Sequence, residues 1–228
     1  MEGKLYIVPT PIGNLEDITF RAVRILKGVD LVLCENTSVT QRLFQEYDIV
    51  TKTSVFYSQT GVKNIDKIMK MLEGGAQIAL VSDAGTPTIS DPGVLLVDKI
   101  RKELPSVEVV ALPGASALIT ALSSSGISSA QFLFLGFFPH KKGRETLFKE
   151  ISESDRTIVF YESVHRIEKT LEALAECLDE KRVIVVAREL TKMYEEIIRG
   201  TAKEVQNYFN KKKDKVRGEF VVIIEPRK

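Results

Sequence analysis

Short apolar runs alternate with amphipathic stretches along the first half of the chain. Leu5–Val8, Leu31–Cys34, Ser54–Tyr57, Gln77–Val81 and Val107–Ala111 have the length and branched apolar content of strands buried on both faces. Between them lie segments of helical length. In the clearest, Ile65, Ile68, Met69 and Leu72 follow an i, i+3, i+4, i+7 stripe, with lysines and acids on the other side. Gly74-Gly75 stops it. Five strands separated by helices predict a mostly parallel sheet covered on both faces.

The rhythm then changes. Pro113-Gly114 opens a small-residue segment that ends in Ser123-Ser124-Ser125-Gly126, with Ala115–Leu122 reading as helix. This predicts two α/β domains, residues 1–113 and 114–228. Beyond it, Phe132–Phe138, Thr157–Tyr161, Val183–Ala187, Tyr194–Arg199 and Glu219–Glu225 read as strands. Ile167, Leu171, Leu174, Ala175 and Leu178 mark a helix. The link from Ala187 to Tyr194 is too short for a parallel crossover, so that pair is expected to be antiparallel and the second sheet mixed.

Composition narrows the function classes. At 44% hydrophobic, the chain can build substantial cores. Its 32 basic and 31 acidic residues leave no global charge to draw nucleic acid or an anionic membrane. Any RNA contact must come from local patches. No apolar run has the length of a membrane span and the N-terminus lacks a signal-peptide core, so a soluble, cytoplasmic protein is expected. Cys34 and Cys177 have no metal-ligand spacing and read as buried thiols in a reducing compartment.

The candidate chemistry sits where strands end. Ser82–Gly93, SDAGTPTISDPG, follows an apolar strand, and in open α/β sheets ligands bind outside the carboxyl ends of strands. Gly85 permits close backbone approach to a ligand, Pro87 fixes the loop, and Asp83 is placed to accept hydrogen bonds from hydroxyls or an amine. A long capped turn, with Asp91-Pro92 starting the next helix, is the simpler reading. VPTPIGN, Val8–Asn14, shares that sheet edge. In PGASA, Pro113–Ala117, Gly114 and Ser116 offer N–H groups and a hydroxyl at a helix start, for an anion or for ordinary capping. Lys141, Lys142 and Arg144 form a basic loop that suits phosphates or simply solvent, and Lys211–Lys215 reads as a solvated basic turn. There is no Walker phosphate loop, no G-x-G-x-x-G after the first strand and no complete nucleophile elbow. His140 and His165 cannot by themselves form a zinc site, so no metal is expected.

Seven stretches occur in an order that resembles the tetrapyrrole methylase superfamily: VPTPIGNLEDIT, SDAGTPTISDPG, LPGASALITAL, FLGFFP, FYESVHR, RELTKMYEE and GEFVVIIE. They cover nearly the whole chain and are most similar to the branch that acts on ribosomal RNA. The resemblance implies a two-domain methyltransferase, commonly a homodimer, with S-adenosylmethionine in the cleft between domains. It implies methylation of a cytidine 2′-hydroxyl in the decoding region of small-subunit ribosomal RNA, free or in the assembled subunit. Carried over position by position, Ile12, Asp83, Thr86, Ser116 and Ala117, with Gly85 beside them, would hold the cofactor. Tyr161, Ala187 and Gly218 would join them from the second domain. Asn14, Arg144, Glu162, His165, Arg166, Glu189 and Lys192 would face the RNA or the reacting hydroxyl. Glu35, Glu189 and Lys192 are the candidates for moving the hydroxyl proton or stabilising the oxygen.

Three departures stand out. Glu35-Asn36-Thr37-Ser38 replaces the family's Glu-Asp-Thr-Arg, losing a carboxylate and a guanidinium together. Val164 replaces a proline. Many relatives carry a further C-terminal domain, and its added grip on RNA is not expected in a chain ending at Lys228. Other readings are a tetrapyrrole-precursor methylase, a non-catalytic cofactor- or RNA-binding module, and a dehydrogenase, the last disfavoured by the missing glycine fingerprint.

Overall fold

The structure, a computed structural model, describes residues 2–56, 62–91, 93–139 and 143–227. The chain divides into two compact units, Met1–Ser116 and Ala117–Lys228.

The first unit runs β1 (Lys4–Ile7), α1 (Phe20–Gly28), β2 (Leu31–Cys34), α2 (Thr37–Glu46), β3 (Thr53–Val55), α3 (Val62–Glu73), β4 (Gln77–Leu80), α4 (Val94–Glu103) and β5 (Glu108–Ala111). Its sheet has the order β3-β2-β4-β1-β5 and every pairing is parallel. Strand alternation explains the two cores. Leu5, Ile7, Leu33, Ile78 and Leu80 pack with Ile68, Leu72, Leu96 and Ile100 of α3 and α4. Tyr6, Val8, Val32, Cys34, Ala79 and Val81 pack with Ala22, Leu26 and Phe44 of α1 and α2. Leu26, Leu72 and Leu96 are fully buried, each contributing roughly 1.5–3 kcal/mol. Because all five strands are parallel, their carboxyl ends emerge on one edge, and the three signature loops leave from it.

The second unit runs α5 (Ala117–Ser125), β6 (Phe132–Phe137), α6 (Arg144–Glu153), β7 (Thr157–Ser163), α7 (Ile167–Cys177), β8 (Val183–Arg188), β9 (Glu196–Thr201), α8 (Ala202–Lys211) and β10 (Glu219–Ile224). Its sheet, β6-β7-β10-β8-β9, is mixed. Only β6 and β7 pair in parallel, and β8 and β9 form the expected antiparallel pair. Ile158, Phe160, Ile184, Val186 and Val222 face α6, α7 and α8 in one apolar core. Thr201 and Glu204 close a reciprocal capping box that starts α8.

Several expected boundaries shift for local reasons. The strand expected over Tyr194–Arg199 begins at Glu196, because residues 189–195 form a turn. The strand expected over Ser54–Tyr57 is Thr53–Val55, and Tyr57 lies outside the described residues. The helix expected from Asp91-Pro92 begins at Val94, capped by Gly93 at φ 117°, a left-handed value that suits glycine; Pro92 is outside the described residues. Cys34 is buried, but Cys177, at the end of α7, is partly exposed. Among the described residues no helix is long and apolar enough to cross a membrane.

Candidate active site

In the first unit the loops after β1, β4 and β5 are joined through backbone and through threonine hydroxyls. Thr10 and Gly85 exchange two backbone hydrogen bonds, of 2.9 and 3.0 Å. Thr10 Oγ1 also donates to the Ser82 carbonyl at 3.0 Å. Thr86 Oγ1 donates to the Ala115 carbonyl at 2.9 Å, tying the second loop to the third. A Cβ on Gly85 would lie 3.3 Å from Ile12 Cγ2, and one on Gly114 would lie 2.5 Å from Pro9 Cβ. These two glycines therefore let loops close on each other. Ile12, Gly85, Thr86 and Ser116 are thus brought together. Ala117 is the first residue of α5 and belongs to the second unit.

Beside this floor three carboxylates converge, Glu35 from the end of β2 and Asp83 and Asp91 from the loop between β4 and α4. Burial raises Asp83 above its ordinary value, although the Asn36 N–H donates to Asp83 Oδ1 at 3.1 Å. Burial and the nearby charge of Asp83 raise Glu35. Asp91 is raised to about 6 by burial and then by Glu35, against a hydrogen bond from Ser82. Sequence reasoning assigned Asp91 only to a turn. Its position in the same acidic loop as Asp83 was the available signal.

Asn36 has a local explanation, whereas nothing in the structure explains Ser38. The Asn36 side chain caps α2 by accepting from the Ser38 N–H at 3.0 Å. Asparagine and aspartate cap helices about equally well, so this departure keeps the helix start and removes one charge from an already repulsive group. Asn14 is likewise a cap, accepting from the Glu16 N–H at 3.1 Å.

In the second unit, strand direction gathers the candidates. The ends of β7 and β8 meet the start of β10, and Tyr161 and Ala187 both pair with Val221. Tyr161 lies edge-on between Phe134 and Phe137, with ring centroids 5.0 and 5.3 Å away. Gly218, at φ 84°, precedes β10, and a Cβ there would lie 2.2 Å from Glu189 Oε1. Glu189 Oε1 accepts from Lys192 Nζ at 2.9 Å and from the Glu219 N–H at 3.1 Å. Lys192 Nζ also reaches Glu219 Oε2 at 2.7 Å. Burial pushes Glu189 up, but Lys192 and the Glu219 N–H outweigh it and leave the carboxyl below its usual range. Burial pushes Lys192 down, but Glu219 and Glu189 outweigh it and strengthen its charge. Glu219 was not found from sequence, since only tertiary pairing brings it to Lys192.

One expected RNA contact is corrected. The Glu162 side chain has no solvent exposure and meets Arg166 Nε at 2.9 Å. It accepts from Thr170 Oγ1 at 2.6 Å and from the Ser163 N–H at 2.8 Å. Arg144 Nη2 donates to Thr170 at 2.6 Å, and Arg166 Nη1 to the Phe138 carbonyl at 2.7 Å. A charge without solvent must be paired, so Glu162 is the centre of a buried network. Arg144 and Arg166 are largely committed to that network, whereas His165 is exposed. Lys141 and Lys142, and with them His140, lie outside the described residues.

Residues 4–206 match the family model described as tetrapyrrole (corrin/porphyrin) methylases. The chain belongs to this family. Tetrapyrrole methylases take their methyl group from S-adenosylmethionine, and the chain is a methyltransferase of this kind. A Bacillus subtilis (strain 168) protein named ribosomal RNA small subunit methyltransferase I is 46% identical over 226 residues, covering 98% of this chain and 75% of that protein. A protein of the same name from Hydrogenobaculum sp. (strain Y04AAS1) is 47% identical over 223 residues, 97% of this chain and 95% of that one. Among solved structures, uroporphyrin-III-C-methyltransferase from Thermus thermophilus aligns with a TM-score of 0.67 at 15% identity, over 98% of this chain and 94% of that one. That likeness shows the tetrapyrrole methylase fold.

Proposed function

We propose that the chain methylates the 2′-hydroxyl of a cytidine ribose in the decoding region of small-subunit ribosomal RNA, as a cytoplasmic homodimer acting on the RNA or the assembled subunit. The observation that carries this reading is the likeness, over nearly the whole chain, to proteins named as ribosomal RNA methyltransferases.

The donor set of the first unit fits the cofactor. Glu35, Asp83 and Asp91 repel one another and are raised by burial, which favours a ligand bearing positive charge. Ile12, Gly85, Thr86, Ser116 and Ala117 would hold it with Asp83, joined by Tyr161, Ala187 and Gly218. Bound S-adenosylmethionine supplies an electrophilic methyl group on a sulfonium. The protein must align the ribose oxygen with that carbon and manage the hydroxyl proton. Glu35, raised, is the better proton acceptor of the candidates. Glu189, held low by Lys192, is the weaker base, and its part is to orient Lys192. The Lys192 ammonium is suited to stabilising a developing alkoxide.

The test is transfer of radiolabel from S-adenosylmethionine to small ribosomal subunits from cells lacking this gene. Label mapping to one ribose 2′-oxygen in the decoding region is expected. Label on a precorrin acceptor and none on RNA would replace this substrate with a tetrapyrrole.

A further inference from the structure

The turn of residues 189–195 between β8 and β9 is bound unusually firmly for an exposed connection. Its backbone closes through Lys192 N–H to the Glu189 carbonyl and Glu195 N–H to the Lys192 carbonyl, both 3.0 Å. The Glu195 carboxylate accepts from the Thr191 N–H at 2.5 Å. Glu189 N–H donates to the Glu219 carbonyl at 3.0 Å, fastening the turn to the start of β10. Leu190 is buried beneath it. Glu189 and Thr191 hold φ values of 49° and 65°, left-handed conformations that side-chain-bearing residues keep only when their surroundings enforce them.

This rigid frame carries two large side chains that face water. Met193 is 89% exposed and Tyr194 66% exposed. The turn offers little free positive charge to accompany them. Lys192 is held between Glu189 and Glu219, and Arg188 is buried against Glu196 at 3.2 Å. Glu195 adds a further acid. Such a tip is poorly suited to phosphate. It suits a flat, uncharged, partly apolar surface with a polar rim, and the ordering cost of the turn is already met in the free protein. A nucleobase has that surface, and it is available to a protein where RNA is unpaired.

We infer that the Met193–Tyr194 tip is a nucleobase-contact element, with Tyr194 stacking on an unpaired base of the RNA substrate next to the Glu189–Lys192 pair. This rests on the RNA reading above and adds the means of recognition: ring against base, without phosphate. Tyrosine provides this contact with few rotatable bonds to fix, and its hydroxyl remains free to meet a base edge.

The test compares the full chain with Tyr194→Ala, Tyr194→Phe and Met193→Ala, using a short single-stranded oligoribonucleotide and the same strand annealed to its complement. Methylation of small subunits by the unaltered protein is measured in parallel. Because both side chains are exposed, unfolding temperatures should match. Tyr194→Ala should weaken single-strand binding about tenfold, within the range of one base–aromatic stack, and leave the salt dependence of binding unchanged. Tyr194→Phe should retain most of the affinity, Met193→Ala should lose less than Tyr194→Ala, and duplex binding should not move. Unchanged single-strand affinity in Tyr194→Ala, with the unaltered protein still methylating subunits, overturns this inference alone. An equal loss on both RNAs with a shallower salt slope makes the tip a phosphate contact and overturns it. So does a change of sedimenting mass, which assigns the tip to a second copy of the chain. If the unaltered protein neither binds RNA nor labels subunits, the RNA reading fails and takes this inference with it.

Discussion

The two units treat their clustered carboxylates in opposite ways. In the first, Glu35, Asp83 and Asp91 meet with no cation paired to them among the described residues, and each is raised above its ordinary value. In the second, Glu162 is enclosed by Arg166, Thr170 and a backbone N–H, while Glu189 is held by Lys192. Both arrangements collect acids beyond strand ends, but among the described residues only the second supplies their counter-charges. The difference separates a group that holds the fold together from one whose repulsion a positively charged ligand would relieve, as the proposed cofactor site requires. Acidity alone does not identify a site. The missing counter-charge is the more informative observation.

The strongest way to break this contrast is Glu162→Ala. Removing the acid leaves Arg166 and Arg144 without their buried acceptor, and an uncompensated buried charge costs about 3 kcal/mol or more. A lower denaturation midpoint is expected, with cofactor affinity unchanged in the protein that remains folded. Retained stability would make Glu162 dispensable to the fold. Asp83→Ala should do the reverse. Cofactor affinity by calorimetry is expected to fall about 100-fold, roughly 2.7 kcal/mol, with little loss of stability in the free protein. Unaltered affinity would remove Asp83 from the pocket.

The smallest expected effect is the most specific to pH. Asp91 sits at about 6 when folded against 3.8 ordinarily, so folding favours its protonated form. That contribution is fully present below the ordinary value and lost as pH rises through about 6. Asp91→Asn should therefore stabilise the free protein by about 1 kcal/mol at about pH 8, a figure discounted for solvent screening, and by nothing near pH 4. Thermal unfolding across pH checks it. A stabilisation that is the same at every pH would point to packing instead of charge. Bound cofactor should shrink the gain, since its positive charge would offset the repulsion.

Much of the fold was legible because burial writes itself into apolar runs. β1, β2 and β4 are short and almost wholly apolar because both faces of their sheet are covered by helices. Where residues leave that regime, sequence resolves less. Tyr194 has the ring of a strand residue, yet stands on a turn whose left-handed geometry is set by Glu189, Thr191 and contacts with the start of β10. Glu162 follows an apolar run and opens a polar stretch, ESVHR, which suggests an exposed contact with RNA. Its burial depends on Thr170 and Arg144, which only folding brings to it. Gly218 reads as a turn residue, and the reason for it is the Glu189 carboxyl lying where a Cβ would go. Asp83 stood out as a candidate from its loop, but its companion Asp91 did not, because proline and glycine beside it gave a sufficient reason for a turn.

The reciprocal pairing of Thr10 with Gly85 has a consequence for inheritance. The joint between those two loops is made largely from atoms that nearly every amino acid possesses. Substitutions that alter what the rim touches need not dismantle it. Were the proposed donor site to rest on that joint, retention of the methyl donor and choice of methyl acceptor could drift on separate clocks, and one scaffold could serve unlike acceptors without being rebuilt.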